Sequence, residues 1–223
     1  ATNLKNSFPE KTADELKMIE MKSYRHFLDI IFEVLKMFTM SPSQKLSRCK
    51  IDPEAIKLLD DLYLKGKSVI LVMGHYGNWE YYPFRIPSPD TLQPYAIYHP
   101  ISNPYIDKAL ARMRTITGCK LYTMAESIKG MLSNRNEQSV TLFLADQAPS
   151  PNGAFWMQFM DQDTPVFNGA EKIAQKLGMA VIYGHTEKTE RGKYIFYSEL
   201  ICEDATKTLP GEITTNHVRL LEE

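Results

Sequence analysis

Short apolar runs that alternate with longer amphipathic segments constrain the fold of this chain more than any other feature. The clearest run is Ser68-Val69-Ile70-Leu71-Val72-Met73, whose apolar and β-branched residues are typical of a buried strand. Further strands are predicted at Tyr95 to Tyr98, Ser139 to Leu144, Met179 to Gly184 and Tyr194 to Leu200. Helical patterns occur at Pro53 to Leu64, Pro104 to Ile116, Glu126 to Ser133 and Asn168 to Leu177. This alternation predicts an α/β protein whose sheet is covered by helices on both faces.

A longer amphipathic helix is predicted ahead of the first strand. Thr12-Ala13-Asp14-Glu15 has the form of a capping box, and apolar residues recur at near-helical spacing from Leu16 to Phe38. The helix is therefore expected from about Ala13 to Phe38. It fits two environments, the interface of a membrane or the packed core of the protein.

Prolines cluster at Pro83 to Pro94 and again at Pro149 to Pro165, which predicts two surface loops. Loops at the carboxyl ends of strands are where ligands usually bind in an open α/β sheet. The aromatic residues near these loops are either the lining of an acyl groove or ordinary core packing. They are Trp79, Tyr81, Tyr82, Phe84 and Trp156.

The bulk composition excludes several classes of protein. A chain of 223 residues with 43% hydrophobic residues is long enough for a sizeable core, and we expect a single domain over residues 1–223. A formal net charge of −1 gives no basic field for nucleic acid, so no nucleic-acid partner is expected. Cys49, Cys119 and Cys202 have neither disulfide-framework nor zinc-site spacing, which favours a reducing environment. No stretch reaches the roughly 18 apolar residues that a spanning helix needs.

A histidine and a glutamate follow the clearest predicted strand, in Gly74-His75-Tyr76-Gly77-Asn78-Trp79-Glu80. A neutral imidazole can take a proton from an attacking hydroxyl, and a carboxylate on its other nitrogen fixes the tautomer. His75 and Glu80 would not share a face of one helix, but they can meet if His75 lies in a turn and Glu80 opens a helix. The alternative is that His75 only ends the strand and Glu80 is solvated.

The segment Gly74 to Glu80 resembles the HxxxxD/E signature of glycerolipid-type acyltransferases, and more narrowly the lipid A late acyltransferases, which attach lauroyl and myristoyl chains. Further matching stretches follow in order along nearly the whole chain. They include Tyr98-His99-Pro100, Arg112-Met113-Arg114, Lys129-Gly130-Met131, Ala145-Asp146-Gln147-Ala148-Pro149 and Gly169-Ala170. The resemblance implies a mixed sheet like that of glycerolipid acyltransferases, with helices on both faces.

The resemblance also implies a reaction. His75 would be the general base that deprotonates an acceptor hydroxyl, and Glu80 would be its acidic partner. The hydroxyl of a lipid A precursor would then attack an acyl thioester delivered on acyl carrier protein. Arg112, in preference to Arg114, and Asp146 fall on the functional Arg and Asp of the family, and Asn78 and Gln147 in the same motifs are expected to bind substrate.

Two departures from the family pattern concern the acceptor and the membrane. Tyr98-His99-Pro100 stands where the family usually has Tyr-Arg-Pro, so another membrane lipid, such as an amino-acid lipid, a glycolipid or a lysophospholipid, stays open as acceptor. The membrane-spanning helix and tryptophan-rich end of family members are not in this sequence, so a non-catalytic lipid-binding homologue also stays open. The resemblance implies the cytoplasmic face of a bacterial inner membrane as location, with no cofactor and no metal.

Overall fold

The computed structural model describes residues 2–84 and 92–223, and it has the α/β architecture that the alternating pattern predicts. Eight α-helices lie in the described ranges: α1 Thr2–Ser7, α2 Ala13–Met37, α3 Pro42–Arg48, α4 Pro53–Leu64, α5 Pro104–Thr115, α6 Ser127–Ser133, α7 Gly169–Leu177 and α8 Glu212–Glu222. The strands are β1 Cys49–Ile51, β2 Val69–Met73, β3 Gln93–Tyr98, β4 Lys120–Thr123, β5 Ser139–Leu144, β6 Phe155–Phe159, β7 Gln162–Val166, β8 Ala180–Glu190 and β9 Lys193–Cys202. Short 3-10 helices occupy Trp79–Phe84 and Ala205–Lys207.

Seven of the strands form one mixed sheet in the order β1-β9-β8-β2-β5-β3-β4. Strands β8, β2, β5, β3 and β4 are parallel, whereas β9 is antiparallel to β8 and carries β1 at the edge. The five parallel strands therefore all finish at the same end of the sheet, which we call its carboxyl end. A ligand site is expected at this end in such a fold.

Strand β2 lies in the interior of the sheet and is buried along its whole length. Val69, Leu71 and Met73 pack into one core cluster, and Ile70 and Val72 pack into the cluster on the other face. Helix α4 covers the first face, and helices α7 and α8 cover the second. The strand is thus held on both sides, which fixes the position of the residues that follow it.

Helix α2 begins at Ala13 as predicted, but most of its large apolar side chains face away from the protein. Thr12 and Glu15 form the reciprocal capping box, and the helix ends at Met37. Within it, Ile30 and Met37 are the buried residues, while most of its large apolar side chains are exposed. Of the two environments that the sequence allows, the packed core does not agree with the structure, because the helix does not turn its main apolar face towards the protein.

Part of the predicted surface loop between Pro149 and Pro165 is a β-hairpin. Strands β6 and β7 pair in antiparallel fashion, and Met160 and Asp161 turn between them with positive φ angles of 52° and 59°. Pro165 is tolerated because a two-stranded ribbon leaves each strand with an unpaired edge. The other predicted loop, Pro83 to Pro94, falls largely in residues 85–91, outside the described part of the chain.

The described cysteines are free, and Cys49 and Cys119 are buried. Burial raises the pKa of the Cys119 thiol to about 12, so this cysteine is a packing residue rather than a nucleophile. Among the helices in the described ranges, none combines the length and apolar character that crossing a bilayer requires.

Candidate active site

The segment Gly74 to Glu80, which we call the motif turn, begins directly after β2 at the carboxyl end of the parallel strands. Gly77 adopts a positive φ of 63°, and a Cβ there would collide with the Thr186 hydroxyl. Thr186 donates that hydroxyl to the carbonyl oxygen of Tyr76 at 3.1 Å. The turn needs glycine at this position for both its backbone conformation and its contact with β8.

Asp146 binds His75 through two hydrogen bonds. The backbone N–H of His75 donates to Oδ2 at 2.8 Å, and Nδ1 of the ring lies 2.6 Å from Oδ1. The two residues come together because β2 and β5 are parallel neighbours with Met73 paired to Leu144. His75 and Asp146, each two residues beyond its strand end, thus extend the register that the strands have already set.

The charge state of Asp146 favours one tautomer of His75. Burial by itself raises the pKa of the Asp146 carboxyl, but the hydrogen bonds from the ring and backbone of His75 outweigh it, so the pKa lies below its ordinary value. A carboxylate can only accept hydrogen bonds, so in the neutral ring Nδ1 carries the proton and Nε2 keeps its lone pair. Nε2 has no hydrogen-bond partner among the described residues, and the side chains of His75 and Asp146 are 27% and 23% exposed. A substrate can therefore reach this imidazole.

The predicted pairing of Glu80 with His75 is replaced by a different ion pair. Glu80 is 7% exposed, and its two carboxylate oxygens accept from Arg114, with Nε at 2.9 Å from Oε2 and the second nitrogen on Oε1. Burial lowers the pKa of Arg114, but the hydrogen bonds and charge of Glu80 raise it by more. The dyad as predicted is therefore wrong in its acidic partner. Sequence spacing cannot rank an acid five residues away against one on a neighbouring strand.

Arg112 and Arg114 project to different sides of α5, because side chains two positions apart in a helix point in directions that differ by about 200°. Arg114 contacts Glu80, whereas Arg112 is exposed, and its guanidinium makes no hydrogen bond or ion pair within the described ranges. The structure leaves Arg112 free to contact a substrate but does not bring it to His75.

The other predicted substrate contacts differ in accessibility. Asn78 is completely buried, so it stabilises the turn rather than facing a substrate. Its Nδ2 atom donates to Glu33 at 2.8 Å, and its amide oxygen accepts from the Glu80 N–H at 3.2 Å. Gln147 is exposed beside Asp146 and stays a candidate contact. His99 is also exposed, with Nδ1 at 3.0 Å from the Pro100 carbonyl oxygen.

The predicted aromatic groove is only partly consistent with the structure. Tyr81 and Tyr82 are 1% exposed and belong to the core, so they do not line a groove. The Trp79 ring packs edge-on against His75, with centroids 4.7 Å apart. Trp156 is exposed on β6, and the Phe84 side chain lies outside the described structure.

A cleft of about 660 Å³ opens beside the His75–Asp146 pair. Gly74, Tyr76 and Asp146 form part of one wall, and the rest of the lining comes from β6, β8, β9 and the carboxyl-terminal end of the chain from α8 onwards. The cleft includes Tyr183, Glu187, Glu199 and Leu221, and none of its described lining residues is Lys or Arg. An extended molecule can therefore lie next to Asp146, the hydrogen-bond partner of the imidazole.

A comparison with protein families identifies the family of the chain. A sequence model described as "Bacterial lipid A biosynthesis acyltransferase" matches residues 1–222. The chain belongs to this family. Its membership supports acyltransferase activity in lipid A biosynthesis. No curated protein matches the chain.

Two contacts at this site were not predicted from the sequence. The contact of Asp146 with His75 was not predicted, although an acidic residue two positions after the neighbouring strand is a usable signal once the strand order is known. The contact of Glu33 with Asn78 joins residues 45 positions apart, and no local pattern indicates it.

The ion pair of Glu80 and Arg114 gives a test of its structural role. Glu80→Gln leaves the largely buried guanidinium with a neutral partner, and we expect a loss of roughly 2–4 kcal/mol in the free energy of unfolding. Urea denaturation measures this loss. Arg112→Gln is the matched control, because it removes an exposed guanidinium from the same helix and should change stability by less than about 0.5 kcal/mol. Equal losses in the two variants would contradict the assignment.

Proposed function

We propose that this acyltransferase moves a fatty acyl chain from the thioester of acyl carrier protein to a hydroxyl group of a lipid A precursor, with His75 as general base. The hydrogen bonds that join His75 to Asp146 carry the proposal, because they leave Nε2 unprotonated and accessible. Family membership supports the reaction class.

In the proposed mechanism, Nε2 of His75 removes the proton of the acceptor hydroxyl as its oxygen attacks the thioester carbonyl carbon. The imidazolium that forms is stabilised by the Asp146 carboxylate on Nδ1. The carbon–sulfur bond then breaks, and the leaving thiolate takes the proton back from Nε2. Glu80 supports His75 indirectly, since its ion pair with Arg114 anchors the turn. Arg112 and Gln147 are exposed and would bind the polar parts of the substrates.

Replacing Asp146 tests this mechanism. Asp146→Asn keeps the shape of the side chain but removes its charge, so we expect acyl transfer to fall by about 100-fold or more. Radiolabelled acyl carrier protein thioester and an acceptor in detergent micelles give the measurement. His75→Ala should abolish transfer. Asp61→Asn is the control, because it makes the same change of charge at an exposed position of α4. Full activity of Asp146→Asn would overturn the role given to Asp146, and full activity of His75→Ala would overturn the proposed function.

A second acceptor class is favoured by the charge of the cleft. Lipid A precursors carry phosphate groups, yet the described lining has no Lys or Arg and includes Glu187 and Glu199. His99 also stands where the family usually has an arginine. These features support an acceptor without phosphate near its reactive hydroxyl, such as an amino-acid lipid or a glycolipid.

Lipid analysis of a strain that lacks this protein separates the two acceptors. Loss of one acyl chain from lipid A supports the first, whereas fully acylated lipid A with an underacylated amino-acid lipid or glycolipid supports the second. Unchanged lipids together with acyl thioester binding would indicate a non-catalytic homologue.

We propose further that the outward face of α2 contacts the membrane surface, at the cytoplasmic face of the inner membrane. Nine apolar side chains on this helix and its C-cap are between 38% and 65% exposed. They are Met18, Met21, Tyr24, Phe27, Leu28, Ile31, Phe32, Leu35 and Phe38. Lys22, Arg25 and Lys36 make no ion pair within the described ranges and suit an anionic lipid surface.

Vesicle flotation tests the role of α2. Replacing Phe32 and Leu35 together by Ser removes two side chains worth roughly 1.5–3 kcal/mol each when buried, so binding to vesicles of phosphatidylethanolamine and phosphatidylglycerol should fall at least about tenfold. Leu64→Ser on α4 is the control, since Leu64 is 81% exposed but lies on another helix. Undiminished binding of the double variant would exclude α2 as the contact.

A further inference from the structure

Glu33 lies on the protein-facing side of α2 and accepts hydrogen bonds from two other parts of the fold. Its Oε2 atom accepts from Asn78 Nδ2 at 2.8 Å and from the Tyr194 hydroxyl at 3.0 Å. Burial and the neighbouring Glu33 carboxylate both raise the pKa of Tyr194, so this hydroxyl stays protonated and able to donate. Glu33 therefore joins α2 to the motif turn and to β9 at one point.

The carboxylate of Glu33 decides which way the Asn78 amide points. Asn78 is completely buried, and a carboxylate can only accept, so the amide nitrogen must face Glu33. The amide oxygen then faces the backbone N–H of Glu80 and accepts from it at 3.2 Å. Without an acceptor at position 33, the buried Asn78 amide would lose the contact that fixes its orientation.

The hydrogen bond from the Glu80 backbone N–H to the Asn78 side chain lies within the motif turn. Trp79, between Asn78 and Glu80, packs edge-on against the His75 ring. Glu80 is held at its other end by Arg114 on α5. A shift of Asn78 would therefore act on the ring that is to accept a proton and on the carboxylate that anchors the turn.

Helix α2 itself has little apolar packing against the protein, because its buried residues are Ile30 and Met37. Its position depends strongly on polar contacts, and such elements move more readily than core elements. Asp29 makes one such set, with Lys188 and Arg191 on and beside β8. Glu33 makes another, which reaches the motif turn through the Asn78 side chain. The His26 ring of α2 also lies near this turn, with its centroid 6.1 Å from that of the Tyr76 ring.

We propose that Glu33 is a positioning residue that couples the placement of α2 on the membrane to the geometry of the turn bearing His75 and Glu80. The proposal rests on the function proposed above, since it assigns the membrane contact to α2. Docking of the outward face of α2 holds the helix, Glu33 then holds Asn78, and Asn78 holds the backbone of Glu80. The enzyme would thus be best ordered for reaction when its lipid surface is present.

Hydrogen exchange tests this coupling without any need for turnover. In the wild-type protein, vesicles of phosphatidylethanolamine and phosphatidylglycerol should slow amide exchange in residues 76–82 as well as in α2. Glu33→Met fills the same space but has no strong acceptor, so it should still float with the vesicles and lose the slowing in residues 76–82. Glu33→Gln retains an acceptor oxygen and should restore it.

Asp29→Asn is the matched control, since Asp29 lies one helical turn from Glu33 and contacts the β8–β9 hairpin rather than the motif. It should keep vesicle-dependent slowing in residues 76–82. Thermal unfolding establishes first that each variant is folded, and Glu33→Ala replaces Glu33→Met if the latter does not fold. The same slowing in an acceptor-free variant as in the wild type, or its loss in Glu33→Gln, would overturn the proposal.

Kinetics give a second readout. With vesicle-borne acceptor, Glu33→Met should lower kcat by roughly 10- to 100-fold while the KM for the acyl carrier protein thioester changes by less than about twofold. Glu33→Gln should recover most of the rate. A wild-type protein with no acyl transfer to any acceptor lipid would refute the proposed function, and the exchange measurement would still decide whether Glu33 couples α2 to the turn.

Discussion

The two hydrogen bonds between His75 and Asp146 are the interaction on which the site depends. They extend the register of two buried parallel strands by two residues beyond their ends, from the pair Met73 and Leu144 to the pair His75 and Asp146, to which we assign the proton transfer. A backbone donor and a ring nitrogen both point at one carboxylate, so neither the ring nor the carboxylate can rotate freely. The tautomer of the imidazole is therefore a consequence of strand pairing in the core.

The acidic residue of the HxxxxE motif has a different task from the one its spacing implies. Glu80 lies in a 3-10 helix, largely buried, and uses its carboxylate to hold Arg114. A charge buried in this way stabilises a turn when it is paired and destabilises it strongly when it is not. The motif therefore combines the proposed general base with a structural anchor, and Asp146 supplies the direct contact to the ring.

The sequence predicted the fold well because buried strands and amphipathic helices have distinct periods. The β5 boundaries, the start of α2 and the capping box of Thr12 and Glu15 agree with the structure. The β6–β7 hairpin was not predicted, since its proline and its non-glycine turn at Met160 and Asp161 are typical of loops. The partners of His75, Glu80 and Asn78 were not predicted either, because each depends on strand order or helix placement rather than on local spacing.

The most direct test of the claim that Asp146 fixes the tautomer of His75 is to locate the proton on the His75 ring. Nitrogen-15 correlation spectra of the ring, assigned with His75→Gln, distinguish the two neutral tautomers at a pH where the ring is uncharged. We expect a proton on Nδ1, hydrogen-bonded to Asp146, with Nε2 unprotonated. This pattern should be lost in Asp146→Asn but kept in Glu80→Gln. A proton on Nε2 in the wild-type protein, or a tautomer that depends on Glu80 rather than Asp146, would contradict this claim.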